Sequence, residues 1–133
     1  MNYINLLKKH NLKVTPQRLM IVENLYKKGH INIDELYRLL KIDFITISLA
    51  TIYKNIHIMS EKKLIQEVKI PNEKNVYELK KQEHSHIVCI KCHDVIDVTL
   101  DTDILLRQAS ILSDFQINNS MIVLNGTCKK CVA

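Results

Sequence analysis

The four cysteines of this chain stand in two matching pairs, and their spacing is that of a metal site. Cys89 and Cys92 form one pair and Cys128 and Cys131 the other, each with two residues between the thiols. That spacing lets both thiolates of a turn face one ion about 2.3 Å away, and two such turns complete a closed tetrahedral zinc site. The alternative is a pair of disulfides. Because the segment 93–127 is longer than a usual zinc-finger loop, the ion would link two distant parts of one domain rather than form a small zinc finger.

A second group of residues offers nitrogen and oxygen ligands. His84 and His86 alternate along an extended segment, so their imidazoles face the same side. Two imidazoles with nearby carboxylates suit iron, manganese or zinc, and Glu78 and Asp97 can supply the carboxylates. His30 can add a nitrogen from the first half of the chain. Any single histidine is more often packed or at the surface than a ligand, so this pattern is less specific than the cysteines.

Composition bounds the compartment and the class. The 133 residues are 47% hydrophobic with only two glycines and two prolines, which favours packed cores over disorder. No segment approaches the ~20 apolar residues of a membrane span, so we expect no membrane association and place the chain in the cytoplasm. That compartment is reducing, which disfavours disulfides and favours metal binding by the cysteines.

The positive charge is concentrated in the half without cysteines. Residues 1–77 carry 13 Lys and Arg against 7 Asp and Glu, whereas residues 78–133 carry 6 against 7. A basic first half is typical of phosphate binding, and the alternative is a solubilising lysine surface.

The basic half has the capping and turn residues of several helices followed by a β-hairpin. Thr15 and Pro16 predict the start of a helix over 15–28, Asn32 caps a short second helix, and Ser48 caps a third over 48–60. Strands are predicted at 64–70 and 75–79, separated by a turn with Pro71. This is the winged helix-turn-helix pattern, in which the helix over 48–60 enters the major groove. We therefore predict a DNA-binding domain over residues 1–80.

The remainder reads as a small mixed unit of helix and strand. After a short polar link, strands are predicted at 86–91, 94–99 and 115–127, with one helix near 102–112. Both cysteine pairs lie in this unit, which we expect to span 84–133 and to bind metal. The fold class is α+β.

Four stretches together resemble the ferric uptake regulator family: 12–18, 30–37, 48–55, and 84–92 with the closing cysteine pair. The resemblance implies a homodimer with an N-terminal winged helix, a C-terminal dimerisation domain, a structural Zn²⁺ and a regulatory Fe²⁺ or Mn²⁺ at the hinge. The zinc ligands carried over are Cys89, Cys92, Cys128 and Cys131. The regulatory ligands carried over are His30, Glu78, His84, His86 and Asp97.

The same resemblance implies a repressor rather than an enzyme, with a palindromic double-stranded DNA operator and no small-molecule substrate. Lys13 and Arg18 are expected at phosphate or the minor groove. The residues expected around the groove helix are Ser48, Thr51, Tyr53 and Lys54.

Within the family, the residues point to a peroxide-responsive repressor, with an iron-responsive one as the alternative. The stretches 15–18 and 53–55 and the isolated His84-Ser85-His86 resemble peroxide sensors. Glu78 stands where those sensors usually carry aspartate, and glutamate there is typical of iron sensors. His93 stands where glycine usually follows the first cysteine pair.

Two other classes explain less of the chain. A metal-dependent hydrolase needs an open metal position beside a base, and no HExxH-like motif is present. A zinc-ribbon adaptor explains the cysteines but leaves the basic helical half unexplained.

Overall fold

The computed structural model describes residues 1–132, which divide into two compact units, 1–81 and 82–132. The first unit contains four helices and three strands: α1 Tyr3–Lys9, α2 Pro16–Lys28, β1 Ile31–Asn32, α3 Ile33–Asp43, α4 Leu49–Glu61, β2 Ile65–Val68 and β3 Val76–Leu79. The second contains β4 Ser85–Cys89, β5 Val95–Val98, α5 Asp103–Ser113, β6 Val123–Gly126 and α6 Lys129–Val132. This confirms the α+β class, and the functional assignment of each unit stays a prediction.

The helices of the first unit begin where their capping residues predict. Thr15, Asn32 and Ser48 are the N-caps of α2, α3 and α4, and each side chain accepts a backbone N–H three residues on. Pro16 occupies the first position of α2, and Gly29 ends that helix at φ 82, a left-handed conformation that glycine adopts without a steric penalty. Local chemistry therefore fixes these boundaries.

Helices α2, α3 and α4 pack around one apolar core. Ile21, Leu36, Leu40 and Ile52 are fully buried within it. The helical spacing predicts Leu49 on the same buried face, but its side chain is 37% exposed. As the first residue of α4 it lies about one turn beyond Ile52, past the edge of the core.

The hairpin of the first unit is extended to three strands in the order β1-β3-β2, with both pairings antiparallel. In its register Gln66 lies opposite Glu78, and Ile31 lies opposite Tyr77. Continuing the β1–β3 register by one residue places His30 beside Glu78. The short strand β1 thus positions a predicted ligand.

The second unit is a three-stranded sheet in the order β5-β4-β6, with β4 antiparallel to β5 and parallel to β6. A parallel pair needs a crossover, which the chain makes through β5 and α5. The predicted strand over 115–127 is wrong in length, since only Val123–Gly126 pairs with β4. Asp114 ends α5 in the left-handed conformation at φ 59, and the chain needs the following residues to return to the sheet.

No helix within residues 1–132 is both long enough and apolar enough to cross a lipid bilayer.

Candidate metal centres and nucleic-acid interface

The parallel pairing of β4 with β6 brings the two cysteine pairs together. Cys89 ends β4 opposite Gly126, the last residue of β6, and Cys128 follows two residues later. The four Sγ atoms all lie within 4.8 Å of one another, and all four thiols are free. The Sγ atoms of Cys92 and Cys128 are 3.8 Å apart. A tetrahedral zinc ion with bonds of about 2.3 Å requires sulfurs about 3.8 Å apart, so the cluster fits zinc and not a disulfide.

The pKa values of thiols in this cluster are shifted, and the charges of the ionised thiolates favour a bound cation. Backbone N–H groups of Cys92 and Cys128 donate to the Cys89 sulfur and lower the pKa of that thiol to about 6. Hydrogen bonding to Cys128, then burial, raises the pKa of Cys131 to about 12. Four thiolates at this spacing repel one another, so they are stable together only around a positive ion. The donor set matches the closed structural site predicted from the sequence.

His93, in the turn between Cys92 and Asp94, has an unusual backbone conformation. His93 adopts φ 67, the left-handed region in which glycine is unstrained. Its backbone N–H donates to the Cys89 carbonyl at 2.9 Å, which holds the turn closed. The position is one where glycine is expected on conformational grounds, and histidine is among the residues that tolerate it best.

In the first unit, a buried carboxylate lies between two polar partners. Glu78 is only 1% exposed, and its Oε2 lies 2.9 Å from Nε2 of His30. Gln66 donates a 2.6 Å hydrogen bond from its amide to the other oxygen, Oε1. Burial of a carboxylate is costly without such partners, so His30 and Gln66 together hold it in place. Sequence reasoning missed Gln66, because pairing the predicted strands 64–70 and 75–79 from the turn outward places Glu67, not Gln66, opposite Glu78, whereas the observed register pairs Gln66 with Glu78.

In the second unit, two imidazoles converge on one carboxylate. His86 lies opposite Asp97 in the β4–β5 register, and Nε2 of His86 is 3.4 Å from Asp97 Oδ1. Nε2 of His84 lies 3.5 Å from the same oxygen, with the two rings 4.6 Å apart. Nδ1 of His84 is 2.7 Å from the carbonyl oxygen of Gln82. A proton on Nδ1 therefore donates to that carbonyl and leaves Nε2 as the ligand nitrogen.

The spacing of these donors is that of metal ligands. Ligand atoms about 2.1 Å from one ion lie about 3.0 to 3.4 Å from each other in octahedral or tetrahedral sites. The His30–Glu78 distance of 2.9 Å and the distances of 3.4 and 3.5 Å to Asp97 lie close to that range. Each unit thus presents part of a nitrogen and oxygen donor set suited to a divalent transition metal.

Some of the predicted DNA-contacting side chains are free to meet a ligand at the surface, and others already form hydrogen bonds within the chain. Tyr53 is 45% exposed and Lys54 is exposed on the same helix. Ser48 is the exposed N-cap of α4: its hydroxyl accepts the Thr51 N–H at 3.1 Å, and the hydroxyl oxygens of the two residues are 2.9 Å apart. Lys13 is exposed just before α2.

Arg18 is half-buried and already bonded. Its Nε donates to Asn55 Oδ1 at 3.0 Å, and its Nη1 donates to the Lys13 carbonyl oxygen at 3.0 Å. Asn55 was not predicted as a functional residue, because its partner lies 37 positions away in the sequence.

The second unit carries a large apolar surface. No residue of α5 is buried within the single chain. Four large apolar side chains of α5 are at least 54% exposed and form what we call the α5 face: Ile104, Leu105, Ile111 and Leu112. Elsewhere in the unit, Ile96, Phe115 and Leu124 are also at least 45% exposed. A soluble monomer rarely exposes so many, and contact with a second copy would cover them.

Comparison with known proteins gives one consistent family. Residues 9–125 match the model of the ferric uptake regulator family. The chain is 28% identical over 127 residues to the peroxide-responsive repressor PerR of Staphylococcus aureus, covering 94% of this chain and 86% of the relative. The solved Campylobacter jejuni peroxide stress regulator is 37% identical, with a TM-score of 0.70 over 98% of this chain and all of that one. The Vibrio cholerae ferric uptake regulator is 31% identical, with a TM-score of 0.75 over 96% of this chain and all of that one.

Proposed function

Because this chain belongs to the ferric uptake regulator family of dimeric, metal-dependent DNA-binding repressors, we propose that it releases its promoters in response to hydrogen peroxide. The observation that carries the proposal is the pair of imidazoles, His84 and His86, held against one carboxylate and apart from the cysteines. The 37% identity to a peroxide stress regulator supports the same function. We place this repressor in the cytoplasm.

The zinc ligands in this proposal are Cys89, Cys92, Cys128 and Cys131. Their role is structural, since a closed shell of four thiolates leaves no open position for substrate. Thiolates held by zinc are also shielded from oxidation compared with exposed ones. The cysteines therefore hold the second unit together and take no part in sensing.

The regulatory ligands in this proposal come from both units. His30 and Glu78 are supplied by the first, and His84, His86 and Asp97 by the second, for one Fe²⁺ or Mn²⁺. Bound Fe²⁺ would supply the redox chemistry that cleaves the peroxide O–O bond, and the imidazole that gains the oxygen would supply the two electrons of the net change. The overall change is balanced: one imidazole and one hydrogen peroxide give one oxygenated imidazole and one water.

Oxidation of a ligand ring ends repression in this scheme. An oxygenated ring is a weaker nitrogen donor, so the site loses a ligand and its hold on the metal. Without the metal, the repressor loses its affinity for the operator. His30 and His84 are the proposed targets of oxidation.

DNA binding in this proposal uses the winged helix. Helix α4 enters the major groove with Ser48, Thr51, Tyr53 and Lys54, where the Tyr53 ring can contact a thymine methyl group. Lys13 and Arg18 contact phosphate or the minor groove. Because the α5 face pairs two copies about a two-fold axis, the operator is a palindrome with half-sites about one helical turn apart.

An iron-responsive repressor is the second candidate. It is favoured by one residue, Glu78, because glutamate has the longer side chain typical of iron sensors at this position. The 31% identity to an iron-uptake regulator is compatible with it. In that case iron loading, not peroxide, governs promoter binding.

Peptide mass spectrometry after brief peroxide exposure separates the two candidates. For Fe²⁺-loaded protein we expect one added oxygen atom in the peptides that contain His30 or His84. The Mn²⁺-loaded protein is the matched control and should remain unmodified at both. Peptides must be resolved because the four methionines also take up oxygen. Iron-dependent DNA binding without histidine oxidation would instead establish the iron-responsive function.

A further inference from the structure

A continuous run of hydrogen bonds connects the segment before α2 to the start of α4. It begins at the Lys13 carbonyl oxygen, which accepts from Arg18 Nη1, and passes from Arg18 Nε to Asn55 Oδ1. The Asn55 amide then donates to the Thr51 carbonyl oxygen at 3.1 Å. Thr51 is itself bound to the Ser48 cap. All of these residues lie in the first unit, so the run is internal to the DNA-binding half.

We propose that Asn55 is a positioning residue for DNA binding, which fixes the Arg18 guanidinium against α4 so that its remaining N–H donors face a phosphate. The inference rests on the proposed DNA contact of Arg18. Asn55 itself need not touch DNA, since its side chain is half-buried and both ends of its amide are engaged.

The donor count of arginine supports this role. A guanidinium has five N–H donors in a rigid plane, and Asn55 and the Lys13 carbonyl use two of them. Fixing two edges of a rigid plane fixes the direction of the other three. The guanidinium therefore meets the phosphate already oriented, and less side-chain freedom is lost on binding.

The chemistry of the amide also suits the position. A neutral oxygen accepts from Arg18 without cancelling its positive charge, which stays available to a phosphate. An aspartate there would pair with the arginine and place a negative charge beside DNA. The same run of hydrogen bonds joins two segments that carry predicted DNA contacts, the one at Lys13 and helix α4. It therefore also holds these segments at a fixed separation.

A double-mutant cycle with Arg18 tests the proposal on metal-loaded dimer. We expect Asn55→Ala to weaken operator binding about tenfold and to lower the salt slope of log K by about one, as Arg18→Ala does. In the Arg18→Ala background, Asn55→Ala should have no further effect. Arg18→Lys keeps the charge but lacks the planar fork, so it should lose affinity similarly and be insensitive to Asn55→Ala.

Asn24→Ala is the matched control, because Asn24 donates the same kind of amide bond to the carbonyl four residues back, at 2.8 Å, away from Arg18. It should leave affinity and slope unchanged, with melting temperatures showing all variants folded. Additive losses for Asn55→Ala and Arg18→Ala would overturn the inference. An unchanged affinity and salt slope in Arg18→Ala would also overturn the inference. If the wild type still bound the operator in a metal-dependent way, the proposed repressor function would be unaffected by that result. A wild type without metal-dependent binding would refute that function itself.

Discussion

Gln66 donates a 2.6 Å hydrogen bond to Glu78 Oε1 from the directly opposite position on the neighbouring strand, while His30 lies 2.9 Å from Oε2. The amide occupies one carboxylate oxygen, so Glu78 is oriented to present the other one toward His30. The side chain of Glu78 is one methylene longer than an aspartate would be at this position, and the hydrogen bond from Gln66 restrains it. Partners of this kind tune metal sites through the ligands that they orient.

Gln66→Met keeps the length of the side chain but removes the donor, so we expect Mn²⁺ affinity to fall by about tenfold to a hundredfold. The measurement is a Mn²⁺ titration of zinc-loaded protein by calorimetry. Gln17→Met makes the same change on α2 and should leave the affinity unchanged. Equal Mn²⁺ affinity in the wild type and Gln66→Met would show that the amide does not orient a ligand.

Cys92→Ser should abolish the zinc site and unfold the second unit, because structural zinc contributes on the order of 10 kcal/mol to folding. We expect monomers or aggregates in size-exclusion chromatography and loss of bound zinc by elemental analysis. Treating the wild type with a strong chelator should reproduce both results. A zinc-free, soluble dimer with an unchanged melting temperature would contradict the structural role.

Lys54→Ala should weaken operator binding and lower the salt slope by about one, since one fewer phosphate charge is neutralised. The measurement is fluorescence anisotropy of labelled operator over a range of salt concentrations. Lys27→Ala is the control, because Lys27 pairs with Glu23 on α2 at 2.8 Å and is not among the predicted contacts. An unchanged slope in Lys54→Ala would remove this residue from the DNA interface.

Tyr77 predicts a loss of stability at alkaline pH. Burial, then the charge of Glu67, raises the pKa of this phenol above its usual value near 10. A group with a raised pKa in the folded state contributes its full stability below the unfolded pKa and loses it as pH rises through the folded one. The midpoint of denaturant unfolding should therefore fall above pH 10.

Tyr77→Phe should reduce that alkaline fall, because it removes the titrating hydroxyl. Tyr26→Phe, at a position that is 52% exposed, should leave the fall as in the wild type. If the midpoints of Tyr77→Phe and the wild type decline in parallel between pH 9 and about 11, the buried phenol is not the cause.

Local signals in the sequence account for much of the fold. The caps at Thr15, Asn32 and Ser48 place three helices to within a residue, because each satisfies backbone donors near it in the chain. Helix α1 was not predicted, since its seven residues are too few for a clear period. The length of β6 depends on pairing with β4, which no local pattern reveals.

The candidate site shows the same division. The cysteine pairs and His84-Ser85-His86 are visible because ligand spacing within a turn or strand is a short-range property. Gln66 and Asn55 act through partners 12 and 37 positions away. Their roles follow from strand register and helix packing, which the residue types alone do not specify.

The measurement that tests metal control most directly is the affinity of zinc-loaded dimer for its operator with and without Mn²⁺, using a duplex selected from random sequences. We expect Mn²⁺ to tighten binding of the wild type, and His86→Ala to bind weakly whether or not Mn²⁺ is added. Equal operator affinity of the wild type in both conditions would contradict the coupling between the nitrogen and oxygen donors and DNA binding.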